Sequence, residues 1–152
     1  MLKNIFFHLL NNYHADTTVA FRYWDEIEKQ YSAPKRYYHN LSHLSALITF
    51  LQNYKAAIDD WNTLLFAVFY HDIVYNVIRT DNEEKSAALA VKRLESLGVA
   101  GEPIAICKMQ ILATKNHAIS GINDTNLFTD ADLMVLGQAP IVYNQYCQQI
   151  RK

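Results

Sequence analysis

The sequence predicts an all-α domain of about seven helices, and three observations carry that expectation. Apolar residues recur at three- and four-residue spacing along most of the chain, no useful stretch alternates with period two, and β-branched residues do not cluster between turn signals. Apolar residues make up 51% and charged residues 19%, with four glycines and three prolines, which suits a packed globule with few sharp turns. A chain of this size buries roughly two-thirds of the surface that its unfolded form exposes. No internal repeat, low-complexity tract or Gly/Ser linker divides it, so a single domain over residues 1–152 is expected.

Residues 1–10 form a first helix rather than a secretion signal, because His8 interrupts the apolar run, Asn11 and Asn12 follow it, and no small-residue cleavage site is present. Asp16 is a suitable N-cap for residues 17–31, where Val19, Phe21, Trp24, Ile27 and Tyr31 fall at helical spacing. Ser32-Ala-Pro34 ends that helix. Residues 41–54 repeat the period through Leu44, Leu47, Ile48 and Leu51, with His43 in the first turns. Asp60 caps residues 61–73, whose core Leu64-Leu-Phe-Ala-Val-Phe-Tyr70 is apolar nearly all round and belongs at the centre. Asp81-Asn-Glu-Glu84 has the pattern of a capping box opening a helix over 83–97, and Gly98 stands where a left-handed terminator is wanted. Pro103 starts a helix to about residue 115, a polar loop runs through Asn126, residues 127–136 are helical before Gly137, and Pro140 opens the last helix.

A formal net charge of −1 leaves no broad basic surface for an extended nucleic acid, while a small phosphorylated substrate remains compatible. No run reaches the eighteen apolar residues of a membrane span, so no membrane is expected and the cytoplasm is the default address. Cys107 and Cys147 lack the close pairing of a zinc knuckle or redox dithiol and read as reduced, buried, small hydrophobes. The aromatic supply would support a homodimer interface.

The chemistry-bearing residues lie at informative places. His39 and His43 are four apart, and both would face one ion if their helix already starts at His39; if it starts later, His43 alone is well aimed. His71-Asp72 closes the most apolar helix. Burying an imidazole and a carboxylate there without a partner is costly, and a divalent cation satisfies both together. His117 follows a helix, and Asp130 and Asp132 share another. Each has a plain structural alternative: His71 as a hydrogen-bonded core residue, Asp81 and Glu84 as caps, Asp130 and Asp132 as first-turn surface charges. His8 and His14 are assigned to structure or surface.

Taken in order, Arg36-Tyr-Tyr-His-Asn-Leu-Ser-His43, Phe69-Tyr-His-Asp-Ile-Val-Tyr75, Asp81-Asn-Glu-Glu-Lys-Ser-Ala87 and Thr129-Asp-Ala-Asp-Leu-Met-Val-Leu-Gly137 resemble a predicted-phosphohydrolase branch of the HD superfamily. The resemblance spans about two-thirds of the chain. Its pattern of His, His-Asp and Asp falls on His43, His71 with Asp72, and Asp132. Asp132 is preferred to Asp130 because Ala131 precedes it, as in the Ala-Asp pair common in such proteins. Ile111-Leu-Ala-Thr-Lys-Asn-His117 also looks like part of this branch. Relatives continue beyond a motif resembling Tyr143-Asn-Gln-Tyr146 and Ile150-Arg151, so a C-terminal segment is expected to be short or missing here.

The resemblance implies an HD-like helical bundle with His43, His71, Asp72 and Asp132 around one divalent metal. His39 and His117 would be additional ligands or substrate contacts, and a two-metal site becomes conceivable if both turn inward. Two imidazoles and two carboxylates suit Mn²⁺, Fe²⁺, Co²⁺, Ni²⁺ or Zn²⁺ better than Mg²⁺. The implied reaction is hydrolysis of a small phosphate ester, such as a nucleotide, by metal-activated water. Glu83 or Glu84 would move a proton and Arg36 and Lys115 would hold phosphate charge. A non-catalytic metal- or nucleotide-binding regulatory module is the alternative.

Overall fold

The structure is a computed structural model that describes residues 1–34 and 36–150; Arg151, which belongs to the last motif above, lies outside the described residues. Its α-helices are α1 (Leu2–Asn12), α2 (Thr17–Tyr31), α3 (Leu41–Gln52), α4 (Trp61–Tyr70), α5 (Asn82–Ser96), α6 (Glu102–Ala113), α7 (Asn123–Leu133) and α8 (Pro140–Ile150). Short 3₁₀ turns cover Lys55–Ala57 and Met134–Gly137, and there is no strand among the described residues. The all-α expectation is met.

Local capping chemistry sets several helix ends. The Asp16 carboxylate accepts from Val19 N at 2.8 Å, and Asp60 accepts from Thr63 N at 3.0 Å, satisfying donors that the first turn leaves open. Gly98 ends α5 at φ +77°, with Val99 N bonded to Leu94 O and Gly98 N to Glu95 O, a Schellman arrangement that a side chain would strain.

Helix α4 is the axis of the molecule. Thr63 through Tyr70 are all buried, and α4 packs against α1, α3, α5, α6 and α7. Its apolar circumference leaves no face for water, so it requires neighbours on every side. Phe66 and Phe69 meet Tyr13 and Phe6 from the α1 end, with ring centroids 6.1 and 4.9 Å apart. By contrast α8 is mostly exposed and leans on the 3₁₀ turn before it.

Five expectations about local structure change. Helix α4 stops at Tyr70 rather than residue 73, because Asp72 N donates to the Tyr31 hydroxyl and Val74 N to Ser86 Oγ instead of to the preceding turn, and His71 Nδ1 takes the Val68 carbonyl. The capping box does not form: the Asp81 carboxylate is taken by Arg79 and Lys85, and Glu84 by Lys115. Helix α7 begins at Asn123, inside the expected loop, because buried Asp124 accepts from Asp59 N and Asp60 N at 3.0 and 2.9 Å and pins its first turn. Both cysteines are free, but only Cys107 is buried; Cys147 on α8 is partly exposed. Phe21 is also half exposed, packing on Phe7 and Lys3 instead of the core.

Candidate metal centre

Three segments bring the polar residues together beneath α8. On α3, the buried stripe runs His43, Leu44, Leu47, Ile48 and Leu51, so the apolar positions that dock the helix also turn the imidazole inward. Asn40 caps this helix, its Oδ1 accepting from Ser42 N at 2.9 Å and its backbone extended at φ −122°, ψ −175°. His39 therefore lies outside the helix and is not a one-face partner of His43. The loop nevertheless returns its ring to 5.6 Å from the His43 ring and puts Nε2 3.7 Å from Asp72 Oδ2.

His71 is the residue immediately after α4, and Nδ1 lies 2.7 Å from Val68 O. A carbonyl can only accept, so Nδ1 carries a proton, and whenever the ring is neutral its lone pair is on Nε2. On α7, Phe128 and Asp132 are four apart and share the inner face: the Phe128 ring meets His71 edge-on at 5.5 Å, and Asp132 reaches past it. Asp130 is exposed.

The donor atoms of His43, His71 and Asp132 all lie within 4.8 Å of one another. Asp132 Oδ1 is 3.2 Å from His43 Nε2 and 3.7 Å from His71 Nε2, and Asp72 Oδ2 is 3.2 Å from His71 Nε2. Asp72 stands beside the triplet, on the His71 edge. Donors sharing an ion at bond lengths of about 2.0–2.2 Å stand roughly 3–4 Å apart, so these are distances at which one cation fits. Despite such proximity, Nε2 of His43 and Nε2 of His71 are buried without a hydrogen-bond partner, because closeness alone does not provide the required direction. Two buried imidazole nitrogens aimed at carboxylates and satisfied by neither are the donor arrangement a shared cation would satisfy, and this buried group can hold a metal ion.

Electrostatics agree with the geometry. Burial acts to lower the pKa of His71, but Asp72, Asp132 and the Val68 carbonyl raise it to about 9. Burial opposes ionisation of Asp72, yet chiefly the charge of His71 holds it down at about 2. Asp132 is held well below the ordinary carboxylate range: burial again opposes, and His117, His43 and His71 overcome it. Burial lowers His39. A proton on His71 thus occupies the electrostatic place of a cation between two carboxylates.

His117 takes its position from the backbone. It sits after α6 at φ +49°, an uncommon conformation for a side-chain-bearing residue, and places Nε2 2.9 Å from Asp132 Oδ2. One Asp132 oxygen therefore faces the two buried histidines while the other is held by His117.

A cleft of about 140 Å³ opens beside the centre, lined among others by His39, Asp72, Glu83, Thr114, His117 and Asp132. Glu83 is the proposed proton carrier that the structure brings to this cleft. Glu84 does not line it, since its carboxylate bonds Lys115 on the surface. Lys115 is committed to Glu84 and to Thr80 O, and Arg36 is committed to His39 O, Asp72 O and Ile73 O, so neither faces the cleft as a phosphate ligand. Arg36 is instead a brace, its guanidinium 4.7 Å from the Tyr31 ring and 5.2 Å from that of Tyr75.

Sequence spacing does not mark Tyr38 or Tyr146 as site residues. Both line the cleft, with rings 4.6 Å apart, and Tyr38 stands 4.9 Å from the His43 ring. Their only sequence signal is membership of the quoted motifs. No helix among the described residues is long and apolar enough to cross a membrane. Among known proteins, no family model, curated protein or solved structure matches the chain.

Proposed function

We propose that the protein is an HD-type metal-dependent phosphohydrolase acting on a small phosphate ester. The observation that carries this reading is the pair of buried, unpartnered Nε2 atoms of His43 and His71 converging on the Asp132 carboxylate, in the order of the His, His-Asp, Asp motif. Asp72 completes a mixed nitrogen and oxygen donor set that suits Mn²⁺, Fe²⁺, Co²⁺, Ni²⁺ or Zn²⁺ above Mg²⁺. When bound, such an ion supplies Lewis acidity, lowering the pKa of water and drawing charge from a phosphoryl oxygen.

The chain's own residues would do the rest. His71 holds its ring through Val68 O, and His117 holds the outer oxygen of Asp132, so the donors are orientated before any ligand arrives. Glu83 lines the cleft and is the carboxyl group available to hand a proton to a departing alkoxide. Tyr38 and Tyr146 narrow the entrance and limit water. One side of the donor set faces the cleft, which favours turnover over a closed structural site.

Elemental analysis of protein purified without chelator, paired with a phosphatase screen over Mn²⁺, Co²⁺, Ni²⁺, Zn²⁺ and Mg²⁺, tests the reading. About one metal per chain, with turnover abolished in His71→Ala, is expected. Metal without turnover moves the assignment to a binding module, and no metal under any condition overturns it.

A further inference from the structure

Arg22, Tyr23 and Glu26 on α2 and Lys92, Arg93 and Ser96 on α5 repeat the same i, i+1, i+4 spacing, and together they line a groove of about 310 Å³. None of them lines the cleft at the metal centre. Three cations against one carboxylate give the groove an excess of positive charge, on a chain whose formal net charge is −1. That carboxylate is already engaged. Glu26 accepts from Arg93 Nε at 2.9 Å and from Nη2 at 2.7 Å, along the side-on edge of the guanidinium, and the buried Tyr70 hydroxyl stands 3.5 Å from it. The pair fixes Arg93 and leaves its end-on edge, Nη1 with the second proton of Nη2, outside the bond.

Arg22 and Lys92 form no ion pair among the described residues, although Asp25 and Glu95 lie three positions from them in sequence. Instead the guanidinium carbons of Arg22 and Arg93 both stand 5.2 Å from the centre of the Tyr23 ring. One phenol ring thus holds two like charges, whose mutual repulsion a bound anion would relieve. The hydroxyl groups add no free donor. Ser96 Oγ donates to Arg93 O at 2.8 Å, so the Tyr23 hydroxyl must donate to Ser96, and both protons are committed. The donors that remain are charged, which selects an anion over a neutral ligand. Three cationic side chains are matched by three terminal oxygens carrying close to two negative charges, which a phosphoryl group has and a carboxylate lacks.

We propose that the groove between α2 and α5 is a second ligand site, which binds the phosphoryl dianion of a small phosphorylated molecule or of free phosphate. It stands apart from the metal centre and does not depend on the phosphohydrolase reading.

The experiment is calorimetric titration of the metal-free protein, dialysed free of chelator, with inorganic phosphate and with methylphosphonate at low ionic strength and about pH 8, where both are largely dianions. Working without metal keeps the outcome independent of the metal centre. Each anion should bind at about one per chain with a Kd below about 1 mM, at least tenfold more tightly than acetate; binding of phosphate alone would assign the site to the free ion. Arg22→Gln and Lys92→Gln, both at exposed positions, should each weaken binding about tenfold. Lys108→Gln, which removes an exposed cation on α6 outside the groove, should leave the affinity unchanged. Absence of saturable binding, an equal affinity for acetate, or phosphate affinity retained when Arg22→Gln and Lys92→Gln are combined overturns the site. So does an equal loss in Lys108→Gln, which would reduce the effect to the overall charge of the chain.

Discussion

The guanidinium of Arg36 donates to the main-chain oxygen of Asp72 at 2.6 Å, while Asp72 N donates to the Tyr31 hydroxyl at 3.2 Å. The peptide that carries a site carboxylate is thus gripped on both sides by residues from the end of α2 and the loop after it. A second guanidinium nitrogen reaches Ile73 O at 2.8 Å, and the side chain is buried between two tyrosines.

Arg36→Lys should therefore destabilise the fold by about 2–3 kcal/mol, because an ammonium cannot span the planar set of carbonyls and leaves buried acceptors unmet. Urea unfolding measures the loss, and metal titration of the folded variant should show weaker binding through a looser Asp72. A change under about 0.5 kcal/mol would mean that the brace is dispensable.

His117 is expected to act through Asp132. Replacing it with Ala should weaken metal binding ten- to a hundredfold while about one ion per chain is still taken up at saturation, the usual effect of removing an outer partner of a ligand. His117→Asn tolerates the positive φ and separates backbone strain from the lost imidazole. If His117→Ala instead halves the number of ions bound, His117 is itself a ligand and the centre holds two metals.

Metal loading should depend steeply on pH. Because His71 is protonated up to about 9 in the metal-free protein, an ion must displace that proton, and apparent affinity should rise about tenfold per pH unit between pH 6.5 and 9. Calorimetry in buffers of differing ionisation enthalpy should record about one proton released per ion. The same group sets metal-free stability: a folded pKa above the unfolded value stabilises fully below about 6.5, and the contribution is lost as pH climbs through 9. Asp72, depressed to about 2, stabilises above about 4 and loses its contribution as pH falls toward 2. Thermal unfolding of chelated protein should fall on the alkaline side between pH 6.5 and 9, and added Mn²⁺ should remove that fall. A flat alkaline limb would place His71 neutral.

The sequence by itself determined the helical character and the positions of most helices, because period, caps and terminators are local: Asp16 and Asp60 bond donors three residues away, and Gly98 turns at its own φ. It also determined which histidines and aspartates to consider. Tertiary structure alone decided how they meet. Asp124 turned an apparent loop into the start of α7 by bonding residues on another segment, and Arg36, Lys115 and Glu84 found partners more than thirty positions away in place of substrate. A charged side chain takes whichever oppositely polarised group packing brings within about 3 Å, and the fold rather than sequence spacing determines which group that is.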